Sequence, residues 1–182
     1  MKELSLNILD IAENSYKANA TLVEIFIDES NKAMSITVKD NGTGMTQDTL
    51  ASVTNPFYTT RTTRRVGLGI PLFKFAAEQT GGELRISSTH IDSDKDGHGT
   101  SVTATFFKNH IDFTPLGDII STVTTLIQGH PDTDLFFSHK TEVGEVTLDT
   151  REIRSVLEDI PLDSFEILNW IRDNLAEQYN LI

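Results

Sequence analysis

Apolar residues recur along the first hundred residues with the two spacings expected of helices and strands. Leu4, Ile8 and Ile11 lie three or four residues apart and predict an amphipathic helix from Glu3 to about Ala18. Alternating apolar residues predict four strands, at Thr21 to Asp28, Met34 to Lys39, Glu83 to Thr89 and Thr100 to Phe107. The order of these strands indicates two hairpins.

Capping and turn residues predict two more helices between the hairpins. Thr46 is typical of the N-cap of a short helix that extends to about Val53. Residues 54–66 contain five threonines and no useful periodicity, so they predict a long loop. A glycine-lined helix then runs from Gly67 to about Thr80.

The C-terminal part predicts a smaller α+β unit. Its expected elements are a helix from Pro115 to about Ile127, a hairpin of Leu135 to His139 with Glu145 to Leu148, a helix from Thr150 to about Ile160 with Thr150 as N-cap, and a helix from Ser164 to about Tyr179. A change in charge separates the two parts, because residues 1–109 carry 13 acidic and 11 basic side chains and residues 110–182 carry 14 and 4. We therefore expect two units, 1–109 and an acidic extension at 110–182.

The overall composition argues against several classes of protein. The net charge is −12 and the sequence contains no cysteine, so we expect neither nucleic-acid binding nor disulfides or thiolate metal sites. No apolar run approaches the length that spans a bilayer, and no signal-peptide core follows Met1. We expect a cytoplasmic protein that does not bind a membrane.

Polar residues share one side of the first predicted helix. Asn7, Asp10, Asn14 and Lys17 are three, four and three residues apart, which stacks them in one stripe. A carboxylate, two amides and an ammonium could hold a metal-bound polyphosphate. A solvated helix face would show the same pattern.

A second candidate site follows the strand that ends near Asp40. Gly42 and Gly44 come directly after this carboxylate, and glycine allows the backbone to approach a ligand closely. This pattern is typical of the floor of a small-molecule site, and it is equally common in turns between strands.

Three arginines, Arg61, Arg64 and Arg65, precede the glycine-lined helix. Guanidinium groups bind phosphate, and the free amides at a helix N-terminus favour the same anion. The sequence has no Walker-type loop, and Leu72 stands where a dinucleotide fingerprint needs its third glycine. The acidic turn from Asp92 to Gly97 is similar to half of a calcium loop, but Thr103 replaces its final glutamate.

Four motifs in order resemble the GHKL ATPase superfamily, which includes gyrase B subunits, heat-shock chaperone ATPases, sensor histidine kinases and mismatch-repair ATPases. They are Asp10 to Ser15 with Ala18 to Thr21 for the N box, Asp40 to Met45 for the first glycine box, Gly67 to Gly69 for the second and Gly97 to Thr100 for the last. Asn55 to Arg61 also resembles the segment before the ATP lid of histidine kinases. The resemblance covers residues 1 to about 109. It implies an α+β fold, a two-layer α/β sandwich with a mixed sheet and helices on one face, followed by the small extension.

The resemblance also implies a site for ATP and Mg²⁺. Asp40 would bind the adenine amino group, directly and through a water that Thr100 supports. Asn14 would coordinate Mg²⁺, Lys17 would contact phosphate, and Arg61 and Arg64, or Arg65, would reach the terminal phosphate from the lid. The glycine boxes would supply the remaining contacts, at Gly42, Gly44, Met45, Gly67, Leu68, Gly69 and Ile70.

Two departures from the family pattern bear on the activity. Gyrase and mismatch-repair members carry a glutamate four residues before the N-box asparagine, where this chain has Asp10, so Asp10 is the expected general base and Glu13 the alternative. No histidine lies in a His-Glu or His-Asp phosphoacceptor motif, so we do not expect an autophosphorylating sensor kinase. We expect a regulatory protein that binds Mg-ATP and either hydrolyses it slowly or transfers phosphate to a protein partner. The alternative is a nucleotide-gated protein-binding module without turnover.

Overall fold

The computed structural model describes residues 3–53, 68–157 and 160–182, which contain six strands and six helices. The strands are β1 (Leu22–Glu29), β2 (Ala33–Asp40), β3 (Glu83–Thr89), β4 (Gly99–Phe107), β5 (Asp134–Lys140) and β6 (Glu145–Asp149). The helices are α1 (Leu4–Lys17), α2 (Gln47–Ser52), α3 (Gly69–Gln79), α4 (Ile119–Gly129), α5 (Thr150–Leu157) and α6 (Phe165–Tyr179). The predicted lid loop, with Arg61, Arg64, Arg65 and Gly67, lies outside the described residues.

All six strands belong to one mixed sheet in the order β3-β4-β2-β1-β5-β6. The pairs β1–β2 and β3–β4 are antiparallel, so both predicted N-terminal hairpins are confirmed. The pair β1–β5 is parallel, with Ile25 opposite Phe137. The C-terminal part therefore continues the sheet that the N-terminal part begins.

The apolar core lies between the sheet and its helices. Alternate residues of β1, namely Val23, Ile25 and Ile27, are buried, and α1 packs on β1 and β2 while α3 packs on β3 and β4. Phe73 of α3 meets Phe106 of β4 with ring centroids 5.5 Å apart. Burying a large apolar side chain contributes about 2 kcal/mol, so these contacts fix the helices on the sheet.

The opposite face of the sheet carries polar side chains on β2 and β4. Thr37 and Thr103, neighbours on β2 and β4, share a hydrogen bond of 2.9 Å across the strands. Lys39 pairs with Glu24 at 3.0 Å on the adjacent strand. The mixed two-layer architecture expected from the sequence is confirmed.

One predicted helix start, that of α4, and one predicted N-cap, that of α5, are wrong, whereas α5 begins at Thr150 as predicted. Helix α4 begins at Ile119 rather than Pro115, because Gly117 has a φ of 79° and the Asp118 carboxylate accepts the amide of Ser121 at 2.9 Å as N-cap. Thr150 does not cap α5, since its hydroxyl accepts a hydrogen bond from the amide of Leu135.

Helix α2 has the predicted N-cap, and α1 ends in a left-handed residue. Asn19 has a φ of 56° just beyond α1, a conformation that commonly ends a helix. The Thr46 side chain accepts a hydrogen bond from the amide of Thr49 at the start of α2. Among the helices of the described ranges, none combines the length and the hydropathy of a bilayer-spanning segment.

A buried polar cluster joins α6 to the sheet at the far end from Asp40. His139 of β5 lies between the Tyr179 hydroxyl, 2.8 Å from Nδ1, and the Glu29 carboxylate, 3.0 Å from Nε2. Burial lowers the pKa of His139, and the hydrogen bond to Glu29 opposes that shift only in part. A neutral imidazole satisfies both contacts, because Nε2–H donates to Glu29 while Nδ1 accepts from Tyr179.

Candidate functional site

Asp40 ends β2 in a nearly buried position, with 9% of its surface exposed. Its Oδ2 accepts a hydrogen bond of 2.7 Å from the Ser15 hydroxyl on α1. Its Oδ1 accepts the amides of Gly42 at 2.9 Å and Thr100 at 3.2 Å. Three donors from three segments thus fix the carboxylate, and Oδ2 retains a lone pair that can accept a further donor.

Two glycines near Asp40 are required by close backbone contacts. Gly44 has a φ of 68°, and a Cβ atom there would lie 1.9 Å from the carbonyl oxygen of Thr89. Gly99 has a φ of 135°, and its Cβ would lie 2.0 Å from the carbonyl oxygen of Asp40. Only glycine fits at both positions. The first and the last glycine boxes thus bring the end of β2 and the β3–β4 connection into direct backbone contact.

The loop after Asp40 is attached on both sides. Its Thr43 donates an amide hydrogen bond of 2.8 Å to the carbonyl of Ala18, and the amide of Ile91 donates to the carbonyl of Thr43 at 2.9 Å. The Asn41 side chain accepts the amides of Thr21 and Leu22. Asn41 therefore holds the loop to the start of β1.

Ser88 supports this site from β3. Its hydroxyl accepts the amide of Met45 at 2.7 Å, donates to the carbonyl of Gly99 at 3.0 Å and lies 2.8 Å from the Thr100 hydroxyl. Because its proton goes to Gly99, Thr100 is the donor in the contact between the two hydroxyls. A recess of about 150 Å³ borders Asp40, Ser88 and Thr100.

The polar stripe predicted on α1 is divided by the structure. Asp10, Asn14 and Lys17 are exposed, but Asn7 is only 1% exposed. The interpretation of all four residues as one surface is therefore wrong for Asn7, because α1 turns that position into the protein. The remaining three place a carboxylate, an amide oxygen and an ammonium along two turns of one helix.

Asp10 lies against the N-terminus of α3. A Cβ atom added at Gly69 would be 3.2 Å from the Cβ of Asp10, so the first turn of α3, with its free amides, packs against this residue of α1. Partial removal from water raises the pKa of Asp10, Lys17 acts to lower it and the charge of Glu13 raises it further. A carboxyl group with a raised pKa is better suited to accept a proton than an ordinary surface aspartate.

Sequence reasoning assigned no role to three residues of this site, Ser15, Ser88 and His98. His98 donates from Nδ1 to the carbonyl of Gly42 at 2.5 Å, because a carbonyl oxygen can only accept. Ser15 falls on the apolar stripe of α1, and a hydroxyl there needs a buried partner. A polar residue on the apolar stripe is the one sequence signal that points to any of the three residues, since nothing in the local sequence pairs Ser88 with Thr100.

Comparison with known proteins identifies the family. Residues 1–110 match the model of the histidine kinase-, DNA gyrase B-, and HSP90-like ATPase family. A putative sensor protein of Shewanella frigidimarina is 29% identical over 107 residues, or 58% of this chain and 15% of that protein. The C4-dicarboxylate transport sensor protein DctB of Pseudomonas aeruginosa is 32% identical over 91 residues, or 49% of this chain and 14% of that protein. The chain thus spans about one seventh of the length of these relatives.

Solved structures agree on the fold. The N-terminal domain of a DNA repair protein has a TM-score of 0.56 at 18% identity, covering 87% of this chain and 58% of that one. The Aquifex aeolicus MutL ATPase domain complexed with ADP has a TM-score of 0.54 at 16% identity, covering 97% and 70%. This chain belongs to the histidine kinase-, DNA gyrase B- and HSP90-like ATPase family, and that membership supports binding of an adenine nucleotide.

Proposed function

We propose that this protein binds Mg-ATP with the adenine base against Asp40. The free lone pair on Oδ2 of Asp40 can accept the adenine amino group while Ser15 and the two amides hold the carboxylate in place. The Thr100 hydroxyl is oriented by Ser88, and the backbone amide of Thr100 binds the same carboxylate. Recognition through a fixed acceptor selects a base that presents a donor at this point.

The triphosphate would extend from Asp40 towards α1 and α3. Lys17 supplies an ammonium on the exposed side of α1, and the first amides of α3 at Leu68, Gly69 and Ile70 supply the positive end of a helix. Asn14 offers an amide oxygen and Asp10 a carboxylate, which are the hard oxygen donors that Mg²⁺ binds while keeping several waters. When bound, Mg²⁺ would neutralise charge on the phosphates.

The proposed reaction is slow hydrolysis of ATP or transfer of its γ-phosphate to a protein partner in a regulatory, cytoplasmic setting. Asp10 would accept the proton of the attacking water, or of the partner's hydroxyl or imidazole group, as the new bond to phosphorus forms and the bond between the γ-phosphorus and the bridging oxygen of ADP breaks. The observation that carries this proposal is the position of Asp10, with its raised pKa, at the N-terminus of α3.

The test is release of ADP from Mg-ATP by the wild type, Asp10→Asn and Glu13→Gln. We expect Asp10→Asn to lose at least about 100-fold in rate, because general acid–base catalysis contributes factors of about 10² to 10⁴. Glu13→Gln should retain most of the activity. Equal rates for Asp10→Asn and the wild type would exclude Asp10 as the base, and selective loss in Glu13→Gln would transfer the role to Glu13.

The second candidate is a nucleotide-gated binding module without turnover. It is favoured by the short side chain of Asp10, which reaches one methylene less far than the glutamate of the gyrase and mismatch-repair branches. ATP that remains intact over hours in a saturated complex, with a stabilised fold, would support this candidate over the enzyme.

A further inference from the structure

His130, the residue that follows α4, contacts the N-box helix. Its ring stacks on Tyr16 of α1 with centroids 3.7 Å apart and planes 12° apart. Its Nε2 lies 3.0 Å from Oε1 of Glu13 and donates to that carboxylate. His130 belongs to the part of the chain beyond the family match at residues 1–110, so the C-terminal part reaches the segment that carries Asp10 and Asn14.

Glu13 also lies near the ammonium that the proposed function assigns to phosphate. Its Oε2 is 3.9 Å from Nζ of Lys17, at the long limit of an ion pair, and the Lys17 side chain is 55% exposed. An exposed pair of this length is weak, and Lys17 can leave it. The two oxygens of Glu13 thus face two donors, of which His130 is the closer and the better fixed by stacking.

We infer that His130 is a positioning residue that holds Glu13 away from Lys17 and leaves the ammonium available to the nucleotide phosphates. This rests on the proposed role of Lys17. With the His130 donor removed, the Glu13 carboxylate is free to turn to Lys17, its i+4 neighbour on the helix. The C-terminal part would in this way contribute to the nucleotide site without contacting the ligand.

Matched variants separate this role from simple packing. His130→Phe keeps an aromatic ring over Tyr16 and removes the donor, whereas His130→Gln keeps an N–H donor and loses the ring. Modification of Lys17 by an amine-reactive reagent, measured by mass spectrometry without nucleotide, reports how strongly Glu13 engages the ammonium. We expect the rate to fall about threefold in His130→Phe, within the range of exposed ion pairs, and to recover in His130→Gln.

The Kd for Mg-ATP provides the second readout. We expect it to rise about threefold in His130→Phe, to stay within about twofold of wild type in His130→Gln, and to be insensitive to His130→Phe in a Glu13→Gln background. The inference would be overturned if Lys17 reactivity were unchanged in His130→Phe, or if His130→Phe raised the Kd for Mg-ATP equally with and without Glu13. A change in reactivity without a change in Kd would instead refute the placement of phosphate on Lys17.

Discussion

Replacing Asp40 by asparagine should weaken nucleotide binding while leaving the fold intact. In Asp40→Asn the amide oxygen can still accept the amides of Gly42 and Thr100, and the new NH₂ group can donate to the Ser15 hydroxyl. The three internal contacts survive as neutral hydrogen bonds, so the loss of stability should be only about 1–2 kcal/mol.

The substitution costs more free energy of nucleotide binding than free energy of folding. The NH₂ group of Asp40→Asn would face the adenine amino group, donor against donor, and an unpaired polar group at this buried position costs roughly 1–3 kcal/mol. That cost corresponds to a Kd about 5- to 150-fold higher. The effect comes from the second hydrogen of the amide, which points where the free lone pair of Oδ2 had been.

Thermal unfolding with Mg-ATP measures this loss. At a nucleotide concentration of about 100 times the wild-type Kd, ligand linkage stabilises the fold by about 2.7 kcal/mol, or about 5–10 °C in Tm for a chain of this size. A 30-fold rise in Kd would reduce the gain to about 1 kcal/mol.

Asp149→Asn is the matched control for this change. Asp149 is a carboxylate on the edge strand β6 that pairs with Arg151 and has no contact with Asp40, so the full thermal shift should persist. If Asp40→Asn also showed the full thermal shift, Asp40 would not be the residue that binds the adenine base.

Three further predictions concern fold and chemistry. Gly44→Ala should destabilise the protein by at least about 1–3 kcal/mol in chemical denaturation, because of its φ of 68° and the contact with Thr89, whereas Gly129→Ala, whose Cβ meets nothing within 4 Å, should not. Lys17→Ala should move the acid limb of the pH–rate profile for ATP hydrolysis to higher pH, since Lys17 lowers the pKa of Asp10; an unmoved limb would exclude Asp10 as the titrating group. Burial lowers the pKa of His139 below its ordinary 6.5, so the unfolded chain takes up a proton first and stability should fall as the pH drops below 6.5. His139→Gln should flatten that fall in denaturation measured from pH 7 to pH 5.

Much of the N-terminal fold follows from local sequence rules. The periodicity of Leu4, Ile8 and Ile11 gave α1, alternation gave the two hairpins, and the glycines identified the turns that close around Asp40. These features depend on residues close in sequence, whose φ preferences and facing directions are nearly independent of the rest of the chain.

The remaining features depend on contacts between distant residues. Nothing near β5 specifies that its partner is β1 or that the pair is parallel, since an apolar strand fits either orientation. The start of α4 was missed because Gly117 and Asp118 end the preceding loop later than Pro115 suggested. Ser88 and His130 contact residues more than 40 positions away, Met45 and Glu13, and no local pattern reports such pairs.

The parallel pairing of β1 with β5 also bears on how the protein is made. During synthesis the outer edge of β1 leaves the ribosome more than a hundred residues before the strand that covers it, since Leu22 pairs with Asp134. An uncovered edge offers unpaired backbone groups to other chains, and such distant pairing folds slowly. A fragment cut at the family boundary near residue 110 would keep that edge permanently open, and we expect it to self-associate more than the full chain does.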